Sequence, residues 1–143
     1  MKTYQICSSG RLSAKEIEAL ISLGKGDSVD YDASLTWVDL FITQAKKNPD
    51  KVAVADRDTQ LTYSELDRRS NILAQVLIDR GVVPDDFVAV MLERTVRFPI
   101  AVLAIHKAGA AYVPIDLEYP KERIEYMLRD SAAKVVINDA FMD

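Results

Sequence analysis

The sequence predicts an α/β fold: a three-layer, mainly parallel sheet preceded by a hairpin and a linker helix. Two observations lead there. Short apolar runs of strand length, Phe87–Leu92, Ala111–Ile115 and Lys134–Asn138, recur along the second half of the chain. Stretches with apolar residues at helical spacing separate them. Continuous apolar runs suit parallel strands covered on both faces, and a strand-helix-strand alternation requires right-handed crossovers that place helices on the sheet.

The elements follow in order. Ser13 and Glu16 have capping-box spacing, and Ile17, Leu20 and Ile21 share one face before Gly24 and Gly26 stop the helix. Asp27–Ser34 is polar and acidic without periodicity, which reads as an extended connector. Residues 1–35 are therefore expected to be an interdomain linker with a short amphipathic helix, and residues 36–143 the folded unit. Thr36 caps a helix whose apolar face is read as Trp37, Leu40, Phe41 and Ala45, ended by Asn48-Pro49. Val52–Ala55, a turn at Asp56–Thr59 and Gln60–Thr62 read as a hairpin.

Thr62 with Glu65 makes a second capping box, opening a helix with Leu66, Leu73, Val76 and Leu77 inside and Asp67, Arg68, Arg69, Asp79 and Arg80 outside. A helix through Phe98, Val102 and Ile105 reaches Gly109, and another starts with Pro120 at its first position and buries Ile124, Met127 and Leu128. The predicted helices span 63–80, 96–108 and 120–130. After the last strand, Asp139–Asp143 is expected to carry no closing helix, leaving a sheet edge open.

Composition narrows the function. The chain has 143 residues, 49% hydrophobic and 28% charged, as in folded globular domains of one-domain size. Its net charge is −4 and its 18 basic residues form no run, which argues against nucleic acid. Cys7 and His106 are the only residues of their types, so neither an intramolecular disulfide nor a Cys/His zinc site is available. A reducing cytoplasm is expected. No stretch has signal-peptide character or the roughly 20 apolar residues of a membrane span.

Two stretches go further. Leu61-Thr-Tyr-Ser-Glu-Leu66 resembles the first core motif of adenylation domains, and His106-Lys-Ala-Gly-Ala-Ala-Tyr-Val-Pro-Ile-Asp116 resembles the second. Tyr119-Pro120 and Arg123–Ser131 extend the second match, so residues 36–143 resemble the N-terminal part of a nonribosomal peptide synthetase adenylation domain of the AMP-binding, adenylate-forming superfamily. Leu12–Leu20 is similar to the connector that joins a condensation domain to such a domain.

The resemblance implies amino-acid activation by ATP with Mg²⁺, followed by loading of a phosphopantetheine thiol on a carrier protein. It implies as partners the remainder of the adenylation domain and the neighbouring condensation and carrier domains. Two alternatives stay open: the interaction half of a split enzyme, and a fragment of an acyl-CoA ligase. A Ser/Thr/Gly-rich phosphate loop does not occur in these residues. No catalytic, cofactor-binding or metal-binding residue of the family is therefore assigned to this segment, which is expected to bind no cofactor and to be inactive alone, with exposed apolar surface that favours self-association.

The remaining candidates have structural explanations. His106 lacks a second base or ligand nearby in sequence and reads as solvated or half-packed, and Lys107 reads as a cation at a helix C-terminus. Thr62 and Glu65 are caps, and Trp37, Phe41 and Phe98 read as helix core. Glu93-Arg94 reads as a solvated turn or ion pair, and Cys7 as an unactivated tail thiol. Asp116 follows a strand's carboxyl end, where α/β proteins bind ligands, and is read as anchoring its own loop.

Overall fold

The computed structural model describes residues 12–26, 29–30 and 32–143. Cys7 and parts of the acidic connector lie outside the described residues. The chain divides into two units, Met1–Ala33 and Ser34–Asp143.

In the first unit, α1 (Ala14–Leu23) begins at the Ser13–Glu16 capping box, where the Ser13 N–H donates to Glu16 Oε2 at 2.7 Å. Gly24 closes it, its N–H donating to the Leu20 carbonyl. No residue of α1 is buried.

In the second unit, α2 (Trp37–Lys47) leads into the hairpin β1 (Val52–Ala55) and β2 (Gln60–Thr62), which pair antiparallel with an irregularity between Val52 and Val54. Then come α3 (Tyr63–Asp79), β3 (Phe87–Val90), α4 (Arg97–Lys107), β4 (Ala111–Pro114), α5 (Lys121–Ser131), β5 (Val135–Ile137) and α6 (Asp139–Met142). The strands β3, β4 and β5 form a parallel sheet in the order β4-β3-β5, as the alternation of apolar runs and helices demands. The chain moves from β3 to one side through α4, then crosses back over β3 through α5. Right-handed crossovers in opposite directions put α4 and α5 on opposite faces of the sheet.

The core lies where α3 and α4 pack together over β3. It is built from Leu66, Leu73, Ala74 and Leu77 of α3, Val88 and Val90 of β3, Ile100, Leu103 and Ala104 of α4, and Ile137 of β5. Gly81 and Gly109 end α3 and α4 at φ +84° and +81°, a left-handed conformation that glycine adopts without a Cβ clash.

Four expectations need correction. The inward stripe of α2 is Val38, Phe41, Ile42 and Ala45, with the i, i+3, i+4, i+7 spacing of a packed helix face, whereas Trp37 is 44% and Leu40 57% exposed. The helix is thus turned by about one residue from the face read in sequence. Ile124, Met127 and Leu128 of α5 are half-buried, because cover reaches them from one side only. Pro120 stands at the N-cap position and α5 starts at Lys121. The segment after β5 forms α6, capped by Asn138, whose Oδ1 accepts the Phe141 N–H at 2.9 Å. Arg97 reaches α6 through Asp139 at 3.3 Å and Asp143 at 2.7 Å, and Arg80 lies 4.2 Å over the Phe141 ring.

Candidate functional site

The connectivity creates a crevice. The segment leaving β3 turns towards α4 and the segment leaving β4 turns towards α5, on opposite faces, so the chain parts at the carboxyl ends of two adjacent parallel strands. Open α/β sheets bind ligands at such points. Here the crevice measures about 920 Å³ and is lined by residues 90, 92–95, 98–99 and 114–119. Val90, Leu92, Phe98 and Ile115 give it an apolar floor, and Glu93, Arg94, Asp116, Glu118 and Tyr119 form an exposed polar rim.

Both loops are held by hydrogen bonds to carboxylates. Asp116 Oδ1 accepts the Glu118 N–H at 2.9 Å, a local turn that fixes the loop after β4, so Asp116 does anchor its own loop. The loop after β3 is tied from a distance: Asp56, in the hairpin turn, accepts the Val96 N–H on Oδ2 at 2.9 Å and the Asp58 and Thr59 N–H groups on Oδ1 at 3.0 and 2.8 Å. These donors, that of Val96 first, hold the Asp56 carboxyl below its ordinary value. Asp56 reads as a plain turn residue in sequence. The signal available was an aspartate at the start of a turn, and nothing local points to Val96, 40 positions away.

Glu93 and Arg94 are both exposed at the start of that loop. Thr62 and Glu65 are a capping box at α3, with the Thr62 N–H donating to Glu65 Oε2 at 2.8 Å, and this bond keeps the Glu65 carboxyl below its ordinary value.

Lys107 departs from its sequence reading. Its ammonium turns away from the carbonyls of α4 and lies against α3, donating to Asp67 Oδ1 at 2.7 Å, the Asp67 carbonyl at 3.2 Å, Ser70 Oγ at 2.8 Å and Asn71 Oδ1 at 2.7 Å. The Lys107 side chain is only 8% exposed. Asp67, read as part of the outer face of α3, is therefore turned towards α4, and Ser70 is fully buried. This is a structural cross-tie between the two core helices.

His106 is half-buried between Trp37, at a centroid distance of 5.1 Å, and Tyr112, at 5.6 Å, both edge-on. Burial pushes its pKa below 6.5. Phe98 packs edge-on against Tyr112 and Phe41 lies beside Tyr63, both half-buried rather than core.

The crevice does not fit a divalent cation. Among the described residues no group of three or more His, Cys, Asp or Glu side chains is placed to hold one, and Asp116 Oδ1 is already engaged. It does not fit a triphosphate either, since neither loop contains a glycine and Arg94 is the one cation on its rim. No chemical step is therefore derived through ATP or Mg²⁺ on these residues.

Comparison with known proteins places this architecture. The family described as AMP-binding enzyme matches residues 41–142. Tyrocidine synthase 1 of Brevibacillus parabrevis is 43% identical over 122 residues, which are 85% of this chain and 10% of that protein. Gramicidin S synthase 2 of Brevibacillus brevis is 38% identical over 133 residues, covering 93% of this chain and 3% of that protein. The chain thus spans a tenth or less of the length of these relatives. Among solved structures, the N-terminal subdomain of Klebsiella oxytoca NpsA superposes with a TM-score of 0.66 at 32% identity, over 71% of this chain and 27% of that one. The nonribosomal peptide synthetase FmoA3 superposes with a TM-score of 0.74 at 32% identity, over 83% of this chain and 12% of that one. Parallel sheet, crossover order and the two sequence motifs coincide in one lineage: the chain belongs to the AMP-binding enzyme family, and within it resembles the N-terminal part of peptide synthetase adenylation domains.

Proposed function

We propose that this chain supplies part of the large lobe of an amino-acid-activating domain in nonribosomal peptide synthesis. In that reaction a carboxylate oxygen of the amino acid attacks the α-phosphorus of ATP, the bond to the bridging oxygen breaks, and pyrophosphate leaves an aminoacyl adenylate. The acyl group then passes to the phosphopantetheine thiol of a carrier domain, and AMP leaves. Mg²⁺, the carrier and a preceding condensation domain belong to this reading, as does a cytosolic location.

The observation that carries the proposal is the second motif, His106–Asp116. It runs from the end of α4 through β4 to the rim of the crevice, and so builds one of its walls. The solved structures in this lineage include NpsA in complex with 3-hydroxyanthranilyl-AMSN, similar to this chain with a TM-score of 0.67.

Two measurements test the proposal. The 143-residue chain alone is expected to give no amino-acid-dependent ATP–pyrophosphate exchange, because it offers no phosphate loop. Grafted in place of the corresponding segment of the tyrocidine synthase 1 adenylation domain, it is expected to restore exchange. A soluble, folded chimera that activates no amino acid, or that forms adenylates only from fatty or aryl acids, overturns the assignment.

A further inference from the structure

We propose that His106 is a pH-operated latch: in its neutral form it holds the first turn of α2 against α4 and β4, and its protonation releases that turn. The chain contains one histidine and one tryptophan, and the fold puts them edge to face at 5.1 Å. The imidazole fills the gap between Trp37, the first residue of α2, and Tyr112 in β4. No hydrogen bond or ion pair among the described residues engages its ring. The ring therefore acts as an aromatic spacer, and there the loss of water on burial, set against the attraction of the Trp37 and Tyr112 rings for a positive charge, disfavours the cation.

Nearby charges do not rescue the cation. On α4, Lys107 is the one charged residue that shares a pocket wall with His106, and it is a like charge. On α3, the Asp67 carboxylate is committed to Lys107 and the Asp79 carboxylate to the Gln75 amide. On α2, Asp39 is committed to Thr36, in the capping box that starts the helix. On β4, the facing group is the neutral Tyr112 phenol. The dipole at the C-terminal end of α4 favours a cation, but Lys107 opposes it and loss of water by the ring decides the balance.

Release is local, because α2 is held weakly there. Trp37 is 44% exposed, and of the helix only Ala45, two turns further on, is buried. Freeing the first turn opens the pocket of about 630 Å³ between α2, α3 and α4, which Thr36, Trp37, Asn71, Gln75 and His106 line. The sign follows from linkage. A folded-state pKa below 6.5 makes the latch fully effective above pH 6.5. Its contribution is lost as the pH falls below 6.5 and is gone below the folded value.

The test uses the whole 143-residue chain. Proton NMR of the single imidazole gives its pKa, and hydrogen exchange gives the protection factors of the first-turn α2 amides from pH 7.5 to 5, corrected for intrinsic rates. The expected result is a midpoint below 6.5, with protection in residues 39–42 falling over the same range while the amides of β3 keep theirs. The fall should be about tenfold for each pH unit by which the midpoint lies below 6.5. In His106→Gln the α2 protection should not change with pH. A midpoint at or above 6.5, a wild-type α2 protection that ignores the imidazole titration, or an unchanged pH dependence in His106→Gln overturns the proposal. The wild-type measurements decide it by themselves if the variant does not fold.

Discussion

Removing either partner of the Lys107–Asp67 pair should destabilise the protein, and the two removals should differ in a definite order. Lys107→Met keeps the aliphatic stem and deletes the ammonium. The Asp67 carboxylate left behind belongs to a side chain 31% exposed, so water reaches it, and the buried Ser70 hydroxyl still donates to the Asp67 carbonyl at 2.9 Å. The cost is then about 1–3 kcal/mol, that of losing charged hydrogen bonds whose acceptors can be rehydrated. Asp67→Ala strands an ammonium on a side chain only 8% exposed, with neutral acceptors as its remaining partners. Breaking a buried pair from that side costs about 3–5 kcal/mol, less about 0.5 kcal/mol regained because alanine is the better helix former. The double variant should lose less than the sum of the two, since each single change removes the same contact. Urea unfolding followed by circular dichroism measures all three, with an unchanged m-value as the check that only stability has moved. A Lys107→Met cost indistinguishable from zero, or larger than that of Asp67→Ala, would refute the reasoning.

Other outcomes follow from the same geometry. Gly109→Ala should cost more than Gly81→Ala: both glycines have positive φ, worth about 1–2 kcal/mol for an L-residue, but a Cβ on Gly109 meets Pro84 Cγ at 3.3 Å while one on Gly81 meets nothing within 4 Å. Equal unfolding midpoints for the two variants would contradict this. For Asp56, a folded-state pKa below the ordinary 3.8 means that its stabilisation is present above pH 3.8 and is lost as the pH falls through the folded value. The stability gap between wild type and Asp56→Ala should therefore be constant from pH 7 to 5 and close in strong acid, and a gap that widens on acidification would show that the three N–H groups do not hold the carboxylate. Thr62→Ala should cost about 1 kcal/mol, and Thr62→Ser close to nothing, in thermal unfolding at neutral pH.

What sequence revealed and what it hid divide by range. The capping boxes at Ser13 and Thr62 and the cap at Thr36 each act within four residues, so short windows show them, and the structure has all three, with Asp39 completing a box at Thr36 that the sequence reading did not name. The strands β3, β4 and β5 were equally plain as apolar runs, although of the three only the central strand β3 is buried along most of its length. The facing of α2 was misread because Trp37 is the bulkiest apolar residue of the helix, whereas packing chose the stripe through Val38 and Ile42. The ties made by Asp56 to Val96, by Lys107 to Asp67 and by Arg97 to Asp139 span about 40 residues each, and no local pattern reports them. The crevice belongs to the same class, since it exists only through the order of the strands and only Asp116 hinted at it.

The strand order also dictates how the sheet can be assembled. The central strand, β3, comes first in the chain, and Val88 finds its two neighbours, Tyr112 and Val135, 24 and 47 residues later. Doubling the length of a closing loop adds only about 0.6 kcal/mol of entropic cost, so thermodynamics barely separates the two pairings. Synthesis separates them: β3 with α4 and β4 leaves the ribosome as a right-handed unit before α5 and β5 emerge. Growth thus proceeds outward from the middle, first to one side and then to the other, and β3 waits with one edge unpaired in the interval. The residues that face that interval, Val88 to Val90, are among the least exposed of the finished protein. A polar residue placed there would therefore be felt during folding before it could be felt in the native state.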